Sequence, residues 1–239
     1  MVKIGIAPTH HDDDRPFFND FSIIYNYPKR VKENGAVPVG LLFPCGFDEE
    51  VLEGIDGFII PGGVVIRDYH LLLIHYCFMN KKPLLGICMG LQAIGIYDSI
   101  KRRIINDKKE VNYETLLDYF NSSKEEDLLI NVEGHTTEFE DYDNIVNNSS
   151  HNVLLDVSSR LYKIYKKNKI NEPSVHHYAL NSIGDDFLVN ALSEDMVIEG
   201  AEYKGDLFIM GLQFHPEMED KNDILFKCFI DECEKYEII

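Results

Sequence analysis

The sequence predicts an α/β fold of three layers, αβα, in which a mostly parallel central sheet carries an antiparallel extension. Two observations lead there. In the first part of the chain short apolar runs alternate with stretches of helical period, the pattern of β-α-β units whose sheet is covered on both faces. Beyond about Val153 the apolar runs crowd together, as strands joined by short connections do.

Taken in order, Val2 to Ile6, Val37 to Leu42, Gly57 to Ile60 and Pro83 to Ile87 read as strands, and Ser22 to Asn34 and Asp68 to Asn80 as the helices between them. Tyr113 to Phe120 reads as helical, and Asn147 to Ser150 as a loop. Val153 to Leu155, Leu161 to Ile164, Phe187 to Leu192, Met196 to Tyr203 and Leu207 to Phe214 form the later series expected to be antiparallel, and Asn222 to Tyr236 closes the chain as an amphipathic helix. The length of 239 residues suits one domain spanning 1–239, and no internal repeat or low-complexity linker divides it. The strip from Lys101 to Ser150 is polar and charged, a surface excursion or a lid.

A net charge of -18 argues against nucleic acid as a partner, because a phosphate backbone needs clustered cations. No apolar run is long enough to span a bilayer, and no basic segment leads into an apolar signal core at the start. Five cysteines, an odd number in a chain this long, do not suggest a disulfide scaffold. A cytoplasmic protein without a membrane partner is expected, and a homodimer is compatible with all of this.

Chemistry concentrates in two places. In Leu84-Leu85-Gly86-Ile87-Cys88-Met89-Gly90-Leu91-Gln92 an apolar strand runs into a cysteine with a glycine two residues away on either side. That is the pattern of a nucleophile elbow, where a sharp strand-to-helix turn lifts the reactive side chain and glycines let strand and helix cross. The following helix would point its N-terminus at the sulfur and favour negative charge there. In Gln213-Phe214-His215-Pro216-Glu217 the proline ends a strand directly after a histidine, and one turn can carry Glu217 back to the imidazole. A lone cysteine is more often a small core residue, and Cys45, Cys77, Cys228 and Cys233 keep that reading. A lone His-x-Glu is weak as well. Together the two motifs supply nucleophile, base and orienting carboxylate: Cys88, His215 and Glu217.

These motifs resemble the signatures of class I glutamine amidotransferases, a family with a flavodoxin-like three-layer fold. The wider pattern resembles its stand-alone branch, the gamma-glutamyl-gamma-aminobutyrate hydrolases and related gamma-glutamyl hydrolases. The likeness takes in Lys3 to Ala7, Val31 to Val39, Asp56 to Gly63, Val175 to Leu180 and Ile198 to Tyr203, and the last two segments point to the hydrolase branch. The resemblance implies an oxyanion hole built from the N–H of Met89 and the glycine loop Gly62-Gly63. It also implies substrate contacts from Gln92, one helical turn past Cys88, to the alpha-carboxylate of a glutamyl group, and from the His176-His177 pair. Branch members commonly carry arginine where this chain has Met89, and the segment after Gly63 is short.

The expected function is therefore cysteine-dependent hydrolysis of gamma-glutamyl amides of small molecules through a glutamyl thioester. The alternatives are a glutaminase subunit supplying ammonia to a synthetase and a non-catalytic binding protein. No cofactor and no metal are expected. His10-His11-Asp12-Asp13-Asp14 reads as a solvated loop, and His176-His177 as a pocket wall rather than a ligand pair.

Overall fold

The computed structural model describes residues 1–11, 20–123, 129–135 and 144–235. In chain order its strands are β1 (Lys3–Ile6), β2 (Thr9–His11), β3 (Asp20–Ser22), β4 (Val37–Gly40), β5 (Gly57–Ile60), β6 (Leu84–Ile87), β7 (Leu129–Asn131), β8 (Ser150–Leu155), β9 (Lys169–Pro173), β10 (Tyr178–Leu180), β11 (Phe187–Ser193), β12 (Ile198–Tyr203) and β13 (Ile209–Leu212). Its helices are α1 (Asn26–Glu33), α2 (Asp68–Met79), α3 (Met89–Asn106), α4 (Tyr113–Ser122), α5 (Ile145–Ser149), α6 (Arg160–Tyr165) and α7 (Asp223–Lys235).

One nine-stranded sheet runs in the order β4-β1-β5-β6-β13-β12-β11-β8-β9. From β4 to β13 neighbours are parallel, and from β13 to β9 they are antiparallel. The mixed α/β architecture matches the one expected. Successive side chains of a strand point to opposite faces, and β5 shows the consequence. Phe58 and Ile60 join a core with α2, α3 and α4, whereas Ile59 joins a core with α1, α6 and α7. The parallel strands are buried on both sides, so they read as continuous apolar runs rather than alternating ones.

The predicted strands β1, β4, β5 and β6 and the helices α2, α4 and α7 lie where the periodicity puts them, within a residue or two. Tyr236, the last residue expected in α7, lies outside the described residues. Four readings differ. Leu207 to Phe214 is expected in the antiparallel series, but β13 pairs in parallel with β6 through Met210↔Leu85 and is antiparallel only to β12. It is thus the hinge between the two halves of the sheet, which its uniformly apolar sequence does not reveal.

Leu161 to Ile164 forms a helix, α6, instead of a strand. The Ser159 hydroxyl accepts the Tyr162 N–H at 2.9 Å, and the buried Glu202 carboxylate takes the N–H groups of Arg160 and Leu161 at 2.7 and 3.2 Å. Acceptors at a helix N-terminus satisfy donors that a short segment cannot pair itself. Ser22 to Asn34 divides into the end of β3 and the shorter α1, because Asp20–Ser22 pairs with β2. Asn147 to Ser150 lies within α5 and the start of β8 rather than in a loop. In the Lys101 to Ser150 strip, α4 packs on α3 and α2, and β7 pairs with β10 beside the pocket wall. The rest of that strip, 124–128 and 136–143, lies outside the described residues, as do Asp12, Asp13 and Asp14.

Candidate active site

Three adjacent parallel strands, β5, β6 and β13, deliver the motif residues from their carboxyl ends, the edge at which open α/β sheets bind ligands. β5 leads into Pro61-Gly62-Gly63, β6 into Cys88 and β13 into Gln213-Phe214-His215. Sheet order brings together segments that are far apart along the chain.

Cys88 has φ 52° and ψ -105°, a strained conformation for a residue with a side chain. Its N–H donates to Leu212 O at 2.7 Å, which pins the elbow to β13, and α3 starts at the next residue. The glycines behave as the sequence suggests. A Cβ on Gly90 would stand 2.3 Å from the Ile60 carbonyl oxygen, and one on Gly86 would stand 2.7 Å from the Gly90 backbone. Cys88 is 6% exposed; its thiol faces Val175 O at 3.9 Å and receives the Gln213 amide at 3.5 Å.

His215 is fixed by its own N–H, which donates to Pro173 O at 2.7 Å, and by Pro216 at the start of a 3-10 turn. That turn brings Glu217 Oε1 to 2.8 Å from His215 Nδ1. The Nδ1 proton then points at the carboxylate, which leaves Nε2 as the acceptor of the neutral ring. Burial by itself would lower the affinity of His215 for a proton. The charges of Glu217 and Cys88, with hydrogen bonds to both, outweigh that and hold the imidazole well above its usual value. Arg30, also buried, donates from Nε to the Glu217 carbonyl at 3.0 Å and so anchors the turn to α1.

Of the residues implied for an oxyanion hole, Met89 is the first residue of α3, where a backbone N–H has no partner within the helix. Its side chain folds onto the glycine loop: a Cβ on Gly63 would stand 2.9 Å from the Met89 sulfur. Gly62 sits against both reactive side chains, since a Cβ there would be 2.9 Å from His215 Cε1 and 3.5 Å from Cys88 Cβ. The Gly62 N–H, however, donates to the Tyr27 hydroxyl at 2.8 Å. Tyr27 is fully buried, and burial followed by the nearby Glu217 charge pushes its phenol well above the usual value.

Gln92 faces the site, as its spacing predicts, but its amide nitrogen donates to Tyr178 O at 2.8 Å and to Gln213 Oε1 at 3.3 Å. Both of these bonds use the amide nitrogen, not the carbonyl oxygen. His176 is buried, with Nδ1 2.9 Å from Tyr178 O and Nε2 3.5 Å from Glu199 Oε1, so it builds the wall that Gln92 leans on. His177 is exposed, and its carbonyl accepts the Val132 N–H at 2.9 Å, outside β7.

Sequence reasoning missed Tyr27 and Gln213. The first is one aromatic residue in an amphipathic helix and gives no signal of its own. The second stands directly after β13, two residues before His215, and could have been found from the Gln-Phe-His-Pro-Glu run. The remaining cysteines are free, and burial pushes the thiols of Cys77, Cys228 and Cys233 up.

Residues 65–217, more than half of the chain, match the Peptidase C26 family profile. The chain belongs to the Peptidase C26 family. It is 28% identical to a glutamine amidotransferase-like protein of Rickettsia prowazekii (strain Madrid E), over 95% of this chain and 96% of that one. It is also 30% identical to the CTP synthase of Clostridium kluyveri over 76% of this chain, and spans only 35% of that longer protein. Two solved structures share the fold. One is a GMP synthase component from Thermoplasma acidophilum, with TM-score 0.66, 21% identity and coverage of 99% of this chain and 96% of that chain. The other is the glutaminase domain of Trypanosoma brucei CTPS with bound acivicin, with TM-score 0.67, 18% identity and coverage of 98% and 94%. C26 membership and these relatives agree with the glutamine amidotransferase-like reading of the motifs. The finer gamma-glutamyl hydrolase branch finds no such match among them. Among the described residues no helix is long and apolar enough to cross a membrane.

Proposed function

We propose that this C26 protein is a glutaminase-type amide hydrolase that releases ammonia from the gamma-carboxamide of glutamine for use by a synthetase partner. The observation that carries the chemistry is the convergence of a strained Cys88, His215 and the Glu217 carboxylate 2.8 Å from His215 Nδ1 at the ends of β6 and β13. The choice of glutamine over other gamma-glutamyl amides is supported by the synthase and synthetase-linked relatives.

Cys88 Sγ, its proton held on His215, adds to the gamma-carbonyl carbon, and the oxyanion forms against the N–H groups of Met89 and Gly63. Collapse breaks the C–N bond, and His215 returns the proton to the departing nitrogen, so ammonia leaves and a glutamyl thioester stays on Cys88. Water, deprotonated by His215, then adds to the thioester carbonyl, and glutamate leaves as the thiol is restored. Glu217 holds the imidazole in one tautomer and stabilises its charged form. The Tyr27 hydroxyl at Gly62 keeps the glycine loop in register with the triad. Gln92 presents its carbonyl oxygen to the alpha-ammonium of the substrate, an acceptor role in place of the carboxylate contact that the family resemblance implied.

Self-sufficient hydrolysis of a small gamma-glutamyl amine is the second reading. It is favoured by the near full-length match to the Rickettsia protein and by the Val175 to Leu180 and Ile198 to Tyr203 segments. The two are separated by the ratio of kcat/KM for glutamine and for a panel of gamma-glutamyl amines, with and without candidate synthetase partners. Glutamine turnover stimulated by a partner supports the first reading; partner-independent turnover of a gamma-glutamyl amine, faster than of glutamine, replaces it with the second.

A further inference from the structure

Behind the wall of the pocket, on the antiparallel side of the sheet, three histidines surround one buried carboxylate. Glu199 on β12 is fully buried, and its Oε1 lies 3.1 Å from His151 Nε2, 3.3 Å from His135 Nδ1 and 3.5 Å from His176 Nε2. None of these contacts has hydrogen-bond geometry, and neither Glu199 oxygen has a hydrogen-bond partner among the described residues. The outer nitrogens fix the tautomers. His135 Nε2 is 3.1 Å from the Asp195 carboxylate and His176 Nδ1 is 2.9 Å from the Tyr178 carbonyl. Both partners are acceptors, so each outer nitrogen carries the proton. In the neutral rings the lone pairs of His135 Nδ1 and His176 Nε2 then lie on the Glu199 side, directed past its carboxylate oxygens rather than at them. A cation set between the rings and the carboxylate would take up both sets of lone pairs.

We propose that His135, His151 and Glu199, with His176 beside them, form a binding site for a divalent first-row metal ion such as Zn²⁺. Imidazole and carboxylate are the ligands such ions prefer. For metal–ligand bonds of roughly 2.0–2.1 Å, the edge of a coordination tetrahedron is about 3.3–3.4 Å, and the three nitrogen-to-oxygen distances bracket it. One ligand atom from each of His135, His151 and Glu199 already lies within 4.8 Å of the other two. Side-chain rotation of His151, the most exposed of the set at 22%, closes the remaining gap. The Asp195–His135 contact supplies the carboxylate–histidine–metal relay that fixes a ligand's tautomer. An entry path exists: a surface cavity of about 250 Å³ is lined by His135 and His151 and by the acidic Glu133, Glu194 and Asp195. The ion would tie β8, β12 and the segments around His135 and His176 together beside the pocket, since His176 and Gln92 share the Tyr178 carbonyl.

The test uses the full chain carrying Cys88→Ala, so that the thiol does not compete for metal. The chelator-treated protein is titrated with Zn²⁺ against a chromophoric chelator and with Co²⁺ as an absorbing probe. The expected result is one equivalent of Zn²⁺, visible Co²⁺ bands of four-coordinate intensity, and affinity at least a hundredfold weaker in Glu199→Gln and in His135→Ala/His151→Ala. His177→Ala, exposed and outside the set, should bind as the parent does. Should the ligand variants fail to fold, the parent alone decides: its melting temperature must rise with one equivalent of Zn²⁺ and fall again with chelator. Absence of Zn²⁺ uptake by the parent, or unchanged affinity in folded ligand variants, overturns the site.

Discussion

The Tyr27 hydroxyl accepts the Gly62 N–H at 2.8 Å, and its ring is fully buried beside Glu217. One side chain of α1 thus holds the glycine loop after β5 and stands beside the Glu217 carboxylate after β13, two segments on either side of β6, the strand that ends at Cys88. Arg30, one turn further along α1, holds the Glu217 carbonyl. The helix that covers this face of the sheet therefore also sets the distance between loop and triad.

Tyr27→Phe tests that role. Loss of the hydroxyl leaves the Gly62 N–H without its buried acceptor, at a cost of about 1–3 kcal/mol, or roughly fivefold to 150-fold where the cost falls on the transition state. The expected pattern is a fall in kcat with a smaller change in KM, read from steady-state amide hydrolysis. Wild-type kcat in a folded variant would show that Tyr27 does not position the loop.

Nucleophile identity can be read by chemical labelling. Acivicin or iodoacetamide should modify Cys88 before Cys45, Cys77, Cys228 and Cys233, and Cys88→Ala should abolish hydrolysis while keeping the melting temperature. Burial pushes the thiols of Cys77, Cys228 and Cys233 up, which slows their reaction. Cys45 is exposed, so its rate is the competitor to beat. Peptide mapping that found Cys88 inert would remove the proposed mechanism.

The elbow glycine Gly90 should fail differently from Gly62. Gly90→Ala drives a Cβ to 2.3 Å from backbone, which cannot rotate away, and should destabilise by more than about 3 kcal/mol. Gly62→Ala meets the edge of the His215 ring at 2.9 Å, and the expected outcome is a folded protein with hydrolysis reduced at least a hundredfold. Denaturant melts and activity of the same preparations separate the two effects; a stable, active Gly90→Ala would mean that α3 can move away from β5 without disturbing the site.

The raised proton affinity of His215 sets a pH dependence of stability. The folded value lies above the unfolded value of about 6.5, so the stabilisation from the charged ring is complete below that pH and is lost as pH rises through the folded value. The difference in unfolding free energy between wild type and His215→Gln should accordingly be greatest near pH 6 and shrink on the alkaline side. An invariant difference from pH 6 to pH 9 would place the imidazole in its neutral form throughout. For catalysis, Glu217→Gln should lower kcat while leaving residual turnover, because orientation is only part of what the carboxylate supplies.

The sequence by itself determined the first four parallel strands, the elbow and the His-Pro-Glu turn. Each is written in local terms: apolar runs of strand length, glycines flanking Cys88, and a proline after His215 that forces the chain to turn within two residues. What lies between such signals was decided by contacts. Leu161 to Ile164 is as apolar as a strand, yet becomes α6 because Glu202, some forty residues away, accepts its first N–H groups. β13 took a parallel partner because β6 offered an unpaired edge beside it, a matter of register that no window of sequence contains. Tyr27 at Gly62 and the three histidines at Glu199 were invisible for the same reason. Their residues come from separate segments with no common spacing, and only the packed sheet brings them within 3.5 Å of their partners.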